Sequence, residues 1–349
     1  KCCINCIWQS SQSKKMNIGI VGIGYWGPNL LRNLNDNKKF KIKYVCDINR
    51  EKLKKINSLD DGVTKTTNVK DLLSDKNLEA VFIATPVSTH FKLAKLFLKS
   101  NKHVFIEKPL SDSKQHCIAL IELARKKSLS LFVDHTFLYT PAVMEIKKIS
   151  QKKDFGNFIY YDSTRINLGL IQDDINVLWD LAVHDISILN YLFNEKPKYV
   201  SCVGHKYIPT KPETAAYLTL KYKSNFIAHI NVNWLSPVKI RKTILGGSKK
   251  MIVYNDLEPS DKLTIYNKGI DVIKKEKSSI NLIKYKVGDT IVPSLKIKEA
   301  LSQAISDFYQ TIVNKNFISK SNGLKGLEVV EILEAANKSM KLEGKPVKI

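Results

Sequence analysis

A glycine-rich turn directly after a short apolar run near the start of the chain constrains the fold more than any other feature. Asn17 to Val21 has the character of a buried β-strand, the turn reads Gly22-x-Gly24-x-x-Gly27, and Asn29 to Leu34 has helical spacing. The first glycine would permit the tight turn, the second would let backbone approach a pyrophosphate, and the third would let helix and strand pack closely. The pyrophosphate would then sit on the free N–H groups of the helix. The pattern predicts a dinucleotide site, although an ordinary glycine turn can share this spacing.

The next hundred residues repeat the strand-then-helix order. Apolar strand-like runs at 42–46, 80–84, 103–106 and 129–133 alternate with helix-like runs at 51–59, 90–99 and 114–126. This alternation predicts a parallel, doubly wound sheet, in which ligands bind outside the carboxyl ends of the strands. The residues predicted to lie at that edge are Gly22, Asp47, Thr85, Glu107 and Lys108.

Asp47 ends the second strand-like run, 20 residues after Gly27. A carboxylate at this position can accept the hydroxyl hydrogens of the adenosine ribose, which favours NAD over NADP. Asp47 could instead cap the following helix, a role that suits Asp. Arg50 nearby keeps NADP possible. We therefore predict NAD as the cofactor and leave NADP open.

The alternation of strand-like and helix-like runs ends at about Pro141. Strand-like runs rich in β-branched and aromatic residues follow one another without intervening helices from residue 199 to 254, and the chain closes with helix-like runs at 297–313 and 324–342. Consecutive strands of this kind predict an open, mainly antiparallel sheet. The predicted fold is α/β, with residues 1–15 an extension outside the fold, 16–138 a dinucleotide-binding domain, and 139–349 a substrate-binding and oligomerisation domain.

Composition narrows the functional classes. The formal charge is +23, but only 5 of the 56 basic residues are arginines and the lysines are spread along the whole chain. Nucleic-acid surfaces draw on the planar fork of arginine, so we predict no nucleic-acid partner. No apolar run has the roughly 20 residues of a membrane span, and residues 1–15 lack the pattern of a secretory signal. We expect a cytoplasmic protein with no membrane partner.

Six cysteines are present, three of them within the first six residues. Cys3-x-x-Cys6 could start a metal clip, but no second pair completes it. Cys46, Cys117 and Cys202 lie in apolar runs and are expected to be buried free thiols. We predict no metal site.

Two regions carry candidate chemistry. Asp180 and His184 are four residues apart and would share a helix face, with Ser187 and Tyr191 extending the polar stripe. Such a stripe would face either a cleft or a satisfied buried network. His184 suits proton transfer near neutral pH, but a histidine on an apolar helix is often structural. Lys108, at the predicted cofactor edge, could stabilise an alkoxide that develops as a hydride leaves carbon.

These motifs together resemble one family. The chain carries, in order, Gly22-Ile-Gly24-Tyr-Trp-Gly27, Ala84-Thr85-Pro86, Glu107-Lys108-Pro109 and Asp180-x-x-x-His184. This combination resembles the glucose-fructose oxidoreductase and inositol dehydrogenase family, Gfo/Idh/MocA, from Met16 to Ile349. The resemblance implies an N-terminal Rossmann domain, a C-terminal α/β domain whose open sheet is often used for oligomer contacts, a cis Lys108–Pro109 bond, and a homodimer or homotetramer.

The resemblance also implies residue roles. Lys108 and His184 would form the catalytic pair, with Asp180 orienting the site or contacting the substrate. The cofactor contacts it implies are Gly22, Gly24, Tyr25, Trp26, Gly27, Asp47, Thr85, Pro86, His90, Glu107 and Lys108. The implied substrate contacts are Arg165, Asp180 and His184. Arg165 could contact a substrate diphosphate, or it could be a structural strand residue.

The segments 164–169 and 175–187 are similar to family members associated with surface-polysaccharide sugars, such as UDP-N-acetylglucosamine 3-dehydrogenases. The predicted substrate is therefore a sugar or UDP-sugar, oxidised at the C3 hydroxyl. An inositol or free-sugar dehydrogenase, and a non-catalytic NAD-binding regulator, stay open. Many family members have glycines shortly before the Asp-x-x-x-His motif, whereas this chain has Asn176-Val-Leu-Trp179, so the pocket size is undetermined.

Overall fold

The computed structural model describes residues 15–56, 62–274 and 281–349. Three features of the sequence fall outside that part: nearly all of the predicted N-terminal extension, the Cys3-x-x-Cys6 pair, and the last residues of the helix predicted at 51–59. Within it, Cys46, Cys117 and Cys202 are buried free thiols, as predicted.

The first half of the chain forms a six-stranded parallel sheet. Its strands are β1 (Met16–Val21), β2 (Phe40–Cys46), β3 (Thr64–Thr66), β4 (Ala80–Ile83), β5 (His103–Glu107) and β6 (Leu131–Asp134). The spatial order is β3-β2-β1-β4-β5-β6, and all five neighbouring pairs are parallel. This doubly wound order confirms the predicted fold class and places a ligand crevice between β1 and β4, where the winding direction reverses.

Five helices connect these strands: α1 (Gly27–Asn35), α2 (Arg50–Lys54), α3 (Val69–Ser74), α4 (Val87–Lys99) and α5 (Lys114–Lys126). Their starts follow from local chemistry. Pro28 lies in the first turn of α1, and the side chains of Asn49, Asn68 and Ser113 accept backbone N–H groups at the starts of α2, α3 and α5. These caps satisfy donors that a helix start leaves free.

The second half begins with a 3₁₀ turn (Thr136–Tyr139) and α6 (Pro141–Ser150), and it is built on a nine-stranded mixed sheet. The strands are β7 (Phe158–Leu168), β8 (Tyr199–His205), β9 (Ala215–Lys221), β10 (Ile227–Asn233), β11 (Leu235–Gly247), β12 (Met251–Asn255), β13 (Leu263–Tyr266), β16 (Thr290–Ile291) and β17 (Val347–Lys348), with β14 (Gly269–Lys274) and β15 (Asn281–Lys286) forming a separate hairpin. The pair β7 and β10 is parallel, and the other pairs are antiparallel. The sheet is mainly antiparallel, as predicted.

The sheet buries one face. Along β9 and β10 buried Ala216, Leu218, Ala228 and Ile230 alternate with more exposed neighbours. A π-helical turn (Leu178–Ala182), α7 (Val183–Leu192) and α9 (Gly323–Lys341) lie on the buried side: α9 packs on β8 and β17, and the π-helical turn packs on β10. No helix of the described residues is both long and apolar enough to cross a membrane.

The last helices connect the two halves. α8 (Ala300–Val313) packs on the parallel sheet, where Phe308 lies 5.4 Å from Phe82 between ring centroids. Arg32 on α1 pairs with Glu299, directly before α8. The predicted domain boundary at residue 138 therefore separates strands into two sheets but leaves α8, from the second segment, in contact with the first sheet.

Candidate active site

The three glycines of the turn occupy the positions that the motif requires. Gly22 has a φ of +96°, and a Cβ placed there would lie 2.4 Å from the carbonyl oxygen of Ala84, directly after the neighbouring strand β4. A Cβ on Gly27 would lie 2.4 Å from the carbonyl oxygen of Gly22. At Gly24 a Cβ would meet no described atom within 4 Å. The turn therefore packs tightly at its two ends and leaves open space at its middle, which is the geometry that a pyrophosphate needs.

The start of α1 is suited to an anion. Trp26 is the N-cap residue, and no side chain in the described part of the chain caps the helix there. Tyr25 is 86% exposed and Trp26 is 37% exposed. Free N–H groups and the helix dipole favour a negative group at this end. The residues present fit a dinucleotide, and cofactor contacts by Tyr25 and Trp26 stay predictions.

Asp47 lies at the end of β2 and is buried. Its Oδ2 accepts the N–H of Ile23 at 2.7 Å, and its Oδ1 accepts the N–H of Asn49 at 2.8 Å. Asn49, not Asp47, caps α2, so the structure rejects the alternative role of Asp47 as that cap. A carboxylate oxygen can accept a second hydrogen bond, so the ribose contact stays a prediction at a carboxylate that also fixes the glycine turn.

The loops after β4 and β5 are joined by His90. Its Nδ1 lies 2.8 Å from the carbonyl oxygen of Pro109 and its Nε2 lies 2.9 Å from that of Thr85. The ring is fully buried, and burial lowers its pKa. A neutral imidazole donates to only one of these carbonyls. The structure thus gives His90 the role of holding two loops. Pro86 is the N-cap residue of α4. Cofactor contacts by Thr85, Pro86 and His90 stay predictions.

Glu107 and Asp134 lie side by side at the carboxyl ends of β5 and β6. Burial and the charge of Asp134 raise the pKa of Glu107 well above its usual range. Burial raises the pKa of Asp134 to about 6. Oε1 of Glu107 and Oδ2 of Asp134 have no hydrogen-bond partner among the described residues. Two carboxyl groups that share a buried site disfavour ionisation of both, and this pair lies beside Lys108.

Lys108 joins the two halves of the molecule at this edge. The Lys108–Pro109 bond is cis, as the resemblance implies. The ammonium donates to Asp180 twice, at 2.8 Å to the backbone oxygen and at 3.0 Å to Oδ1. Trp234, directly after β10, donates its indole N–H to the other carboxylate oxygen of Asp180 at 3.0 Å. The side chain of Lys108 is 19% exposed and that of Asp180 is 25% exposed, so the pair is fixed but remains accessible to a substrate.

His184 is the second residue of α7 and lies next to this ion pair. Its ring packs edge-on against Phe137 at 4.8 Å between centroids, and its Nδ1 is buried without a hydrogen-bond partner in the described ranges. Burial first, then the positive charges of Lys108, Arg165 and Arg241, lowers its pKa well below the usual value. The imidazole is therefore neutral at neutral pH, which is the state of a proton acceptor.

Asp180 and His184 were expected on one face of a single helix. Asp180 instead lies in the π-helical turn directly before α7, not in regular α-helix. Short π-helical segments are frequent at functional sites. Further along the stripe, Ser187 donates to the backbone oxygen of His184 at 2.7 Å. The stripe therefore divides: Asp180 and His184 belong to this site, whereas Ser187 and Tyr191 line a cavity beyond it.

Arg165 is buried and holds α7 to the mixed sheet. Its Nε donates to Oδ2 of Asp185 at 2.7 Å and its Nη2 to Oδ1 at 3.3 Å. The guanidinium also stacks over Phe137, 4.4 Å from the ring centroid. These contacts favour the structural role for Arg165 over the diphosphate contact. Its Nη1 has no partner among the described residues, so a substrate contact through that nitrogen stays a prediction.

Two residues of the site were not predicted. Trp234 orients Asp180, and Arg241 lies directly across from Arg165 in the register of β7 and β11. Trp234 ends a strand-like run, and Arg241 is one of five arginines, but the sequence does not show which residues they face. No group of three or more potential metal ligands occurs in the described ranges.

Comparisons with known proteins identify the family and the fold. Residues 16–135 match the model of an oxidoreductase family with an NAD-binding Rossmann fold, and residues 170–253 match that of the GFO/IDH/MocA C-terminal domain. An uncharacterised oxidoreductase of Bacillus subtilis is 23% identical, with 97% of each chain covered. A UDP-N-acetylglucosamine 3-dehydrogenase of Acidithiobacillus ferrooxidans is 28% identical over 59% of this chain and 63% of its own.

An inositol 2-dehydrogenase/D-chiro-inositol 3-dehydrogenase of Lactiplantibacillus plantarum is 29% identical over 51% of this chain and 52% of its own. Among solved structures, the UDP-N-acetylglucosamine 3-dehydrogenase GnnA of Acidithiobacillus ferrooxidans superposes with a TM-score of 0.78 at 21% identity, covering 94% of this chain and 99% of its own. GenD2 from gentamicin A biosynthesis, in complex with NAD, superposes with a TM-score of 0.80 at 17% identity, covering 99% of each chain.

Proposed function

The chain belongs to the Gfo/Idh/MocA family of NAD-binding oxidoreductases, and from this premise we propose that it is an NAD-dependent dehydrogenase of a sugar CH–OH group. The observation that carries the proposal is the Lys108–Asp180 ion pair of 3.0 Å. It places a cation and an anchored carboxylate beside His184, at the sheet edge that also carries the glycine turn. NADP is the alternative cofactor within the proposal.

NAD⁺, when bound, supplies the hydride acceptor. The substrate alcohol loses a hydride from carbon and a proton from oxygen, and becomes a ketone. His184, neutral because of its lowered pKa, takes the hydroxyl proton. Lys108 donates a hydrogen bond to the substrate oxygen, where negative charge develops. Asp180 keeps the ammonium in place through two hydrogen bonds and is itself fixed by Trp234.

The substrate class we favour is a nucleotide sugar oxidised at the C3 hydroxyl, for surface-polysaccharide or lipid-sugar biosynthesis. Its support is the similarity of the segments 164–169 and 175–187 to such enzymes and the UDP-N-acetylglucosamine 3-dehydrogenase among the relatives. An inositol or free-sugar substrate is the second candidate, supported by the inositol dehydrogenase relative.

Incubation of the purified protein with NAD and a panel of UDP-sugars, free hexoses and inositols tests this function. We expect NADH to form with a UDP-sugar and more slowly or not at all with the others. Turnover of inositols alone would favour the second candidate, and no NADH with any member would contradict the dehydrogenase proposal. Mass spectrometry of ligands that survive purification gives a second readout, for which we expect NAD together with a UDP-sugar.

A non-catalytic NAD-binding regulator would need neither an oriented lysine nor a neutral histidine at the cofactor edge. The proposal also includes a homodimer or homotetramer in the cytoplasm. Support for the oligomer comes from the open face of the mixed sheet, where Val203, Tyr217 and Ile227 are each about half exposed. Exposed apolar side chains grouped on one face mark a surface suited to association.

A further inference from the structure

A cavity separate from the candidate active site lies beside α7, beyond Asp180 and His184. It has a volume of about 320 Å³ and is bordered by α6, α7, α9 and the loop after β6. A cavity of this size is at the lower end of the range for small-molecule sites. His135 and Ser187 are among its lining residues. The cavity lies on the β6 side of the parallel sheet, three strands away from the glycine turn at the end of β1.

The cavity is basic. Lys147, Lys320 and Lys325 line it, and none of its lining residues in the described chain is acidic. Lys325 is exposed and pairs with Glu328 at 2.9 Å. Lys147 and Lys320 are half-buried, and neither forms an ion pair with any described residue. Two ammonium groups in this cavity are therefore left without a neighbouring carboxylate in contact.

The contacts of these two lysines are weak substitutes for an anion. Lys147 donates to the backbone oxygen of Leu192 at 3.2 Å, and Lys320 lies over the rings of Tyr139 at 4.2 Å and Tyr191 at 5.3 Å. Burial lowers the pKa of both lysines; the charge of Lys325 lowers that of Lys147 further, whereas the charge of Asp307 raises that of Lys320. A bound anion would offset the repulsion between Lys147 and Lys325 and give both buried lysines a counter-charge in contact.

Uncharged groups complete the lining of the cavity. His135 borders it and is 1% exposed, but both of its ring nitrogens are shielded from solvent and lack a hydrogen-bond partner among the described residues. Burial lowers its pKa to about 3, so the ring is neutral and adds no positive charge. The hydroxyl of Tyr191 and amides of Asn190 and Asn194 add further donors around the same space.

We propose that this cavity, formed around Lys147 and Lys320, binds the dianionic phosphate group of a small metabolite or inorganic phosphate. Lysine binds phosphate as a point charge, and a phosphate group has several acceptor oxygens for the surrounding donors. The bound group would lie about one helical turn from His184, because Ser187 on the cavity wall is one turn further along α7. The site is separate from the dinucleotide turn and independent of the sugar that the enzyme oxidises.

Calorimetric titration of phosphate into the protein saturated with NAD tests the proposal, because NAD then occupies the glycine turn, which also attracts phosphate. We expect one bound phosphate per chain for the natural protein. Lys147→Gln and Lys320→Gln should each weaken binding about tenfold, the loss expected for one charge-assisted hydrogen bond. The control Lys148→Gln removes a charge on the same helix, from an exposed lysine paired with Glu145, and should change the affinity little.

Lys320→Arg keeps the positive charge and should retain binding, which gives a readout even if Lys320→Gln does not fold. Phenyl phosphate compared with inorganic phosphate separates the two sources of the ligand: tighter binding of the ester indicates a phosphorylated metabolite, and tighter binding of inorganic phosphate indicates the free ion. Absence of binding to the natural protein would overturn the proposal. Equal affinities for the Lys147→Gln, Lys320→Gln and Lys148→Gln variants would also overturn it.

Discussion

Alanine substitutions at Gly22 and Gly24 should separate folding from cofactor binding. At Gly22, φ is +96° and a Cβ would lie 2.4 Å from the backbone oxygen of Ala84. The unfavourable backbone conformation costs about 1–3 kcal/mol, and the clash with a backbone atom adds about 1–3 kcal/mol. We therefore expect Gly22→Ala to lower the free energy of unfolding by about 2–6 kcal/mol, a large part of the total stability of a domain.

Gly24→Ala should behave in the opposite way. Its Cβ meets no described atom within 4 Å, and Gly24 is not among the glycines of positive φ. The free energy of unfolding should change by less than about 1 kcal/mol. The same methyl group would occupy the space through which a pyrophosphate approaches the backbone, so the affinity for NAD should fall about tenfold or more.

Urea denaturation of both variants without cofactor, and fluorescence titration of Gly24→Ala with NAD, give the two quantities. A Gly24→Ala protein that binds NAD as tightly as the natural chain would refute the assignment of the open middle of the turn to the pyrophosphate. A Gly22→Ala protein of unchanged stability would refute the packing argument.

Three further predictions concern the surroundings of the site. Asp185→Asn leaves the buried guanidinium of Arg165 without its carboxylate, so urea denaturation should show a loss of about 3–5 kcal/mol, and an unchanged stability would contradict this. Burial lowers the pKa of His135 from 6.5 to about 3, so between these pH values the unfolded chain binds one more proton than the folded chain, and stability is lost as the pH falls. His135→Gln should therefore reduce the slope of unfolding free energy against pH by up to about 1.4 kcal/mol per pH unit near pH ~5. A slope equal to that of the natural protein would argue against a depressed pKa. Trp234→Phe removes one hydrogen bond to the carboxylate of Asp180 and should lower kcat/KM about tenfold without changing NAD affinity. The indole N–H of Trp179 has no partner in the described chain, so the control Trp179→Phe should change kcat/KM little. Equal effects of the two substitutions would contradict the role of Trp234.

The parallel sheet could be predicted almost completely because its signals are local. Short apolar runs bounded by Gly, Pro and Asp mark β1, β2, β4, β5 and β6, and α5 begins and ends at the predicted residues, Lys114 and Lys126. β3 was not predicted, since Thr64–Thr66 is a three-residue polar edge strand without apolar alternation. The parallel pairing of β7 with β10 is decided by tertiary packing, so strand composition carries no signal for it.

The site was predictable where motifs fix it and unpredictable where contacts cross the molecule. Lys108 and Asp180 are 72 residues apart and form an ion pair. The resemblance assigned both residues to one site, but the sequence did not predict that they pair. The partner of Arg165 is Asp185, the carboxylate next to His184. Nothing in the sequence distinguishes Asp185 from the other carboxylates, because the pairing depends on how α7 lies across β7. Trp234 was missed for the same reason.

The central claim is that Lys108 and His184 act on a sugar hydroxyl beside bound NAD. Its most direct test is the amount of NADH formed in a single turnover with the UDP-sugar panel by the natural protein, Lys108→Ala and His184→Ala, together with the NAD affinity of each. We predict NADH formation by the natural protein, no detectable formation by either variant, and NAD affinities that stay within about threefold, a change of less than 1 kcal/mol. Unchanged NADH formation by either variant would contradict the account.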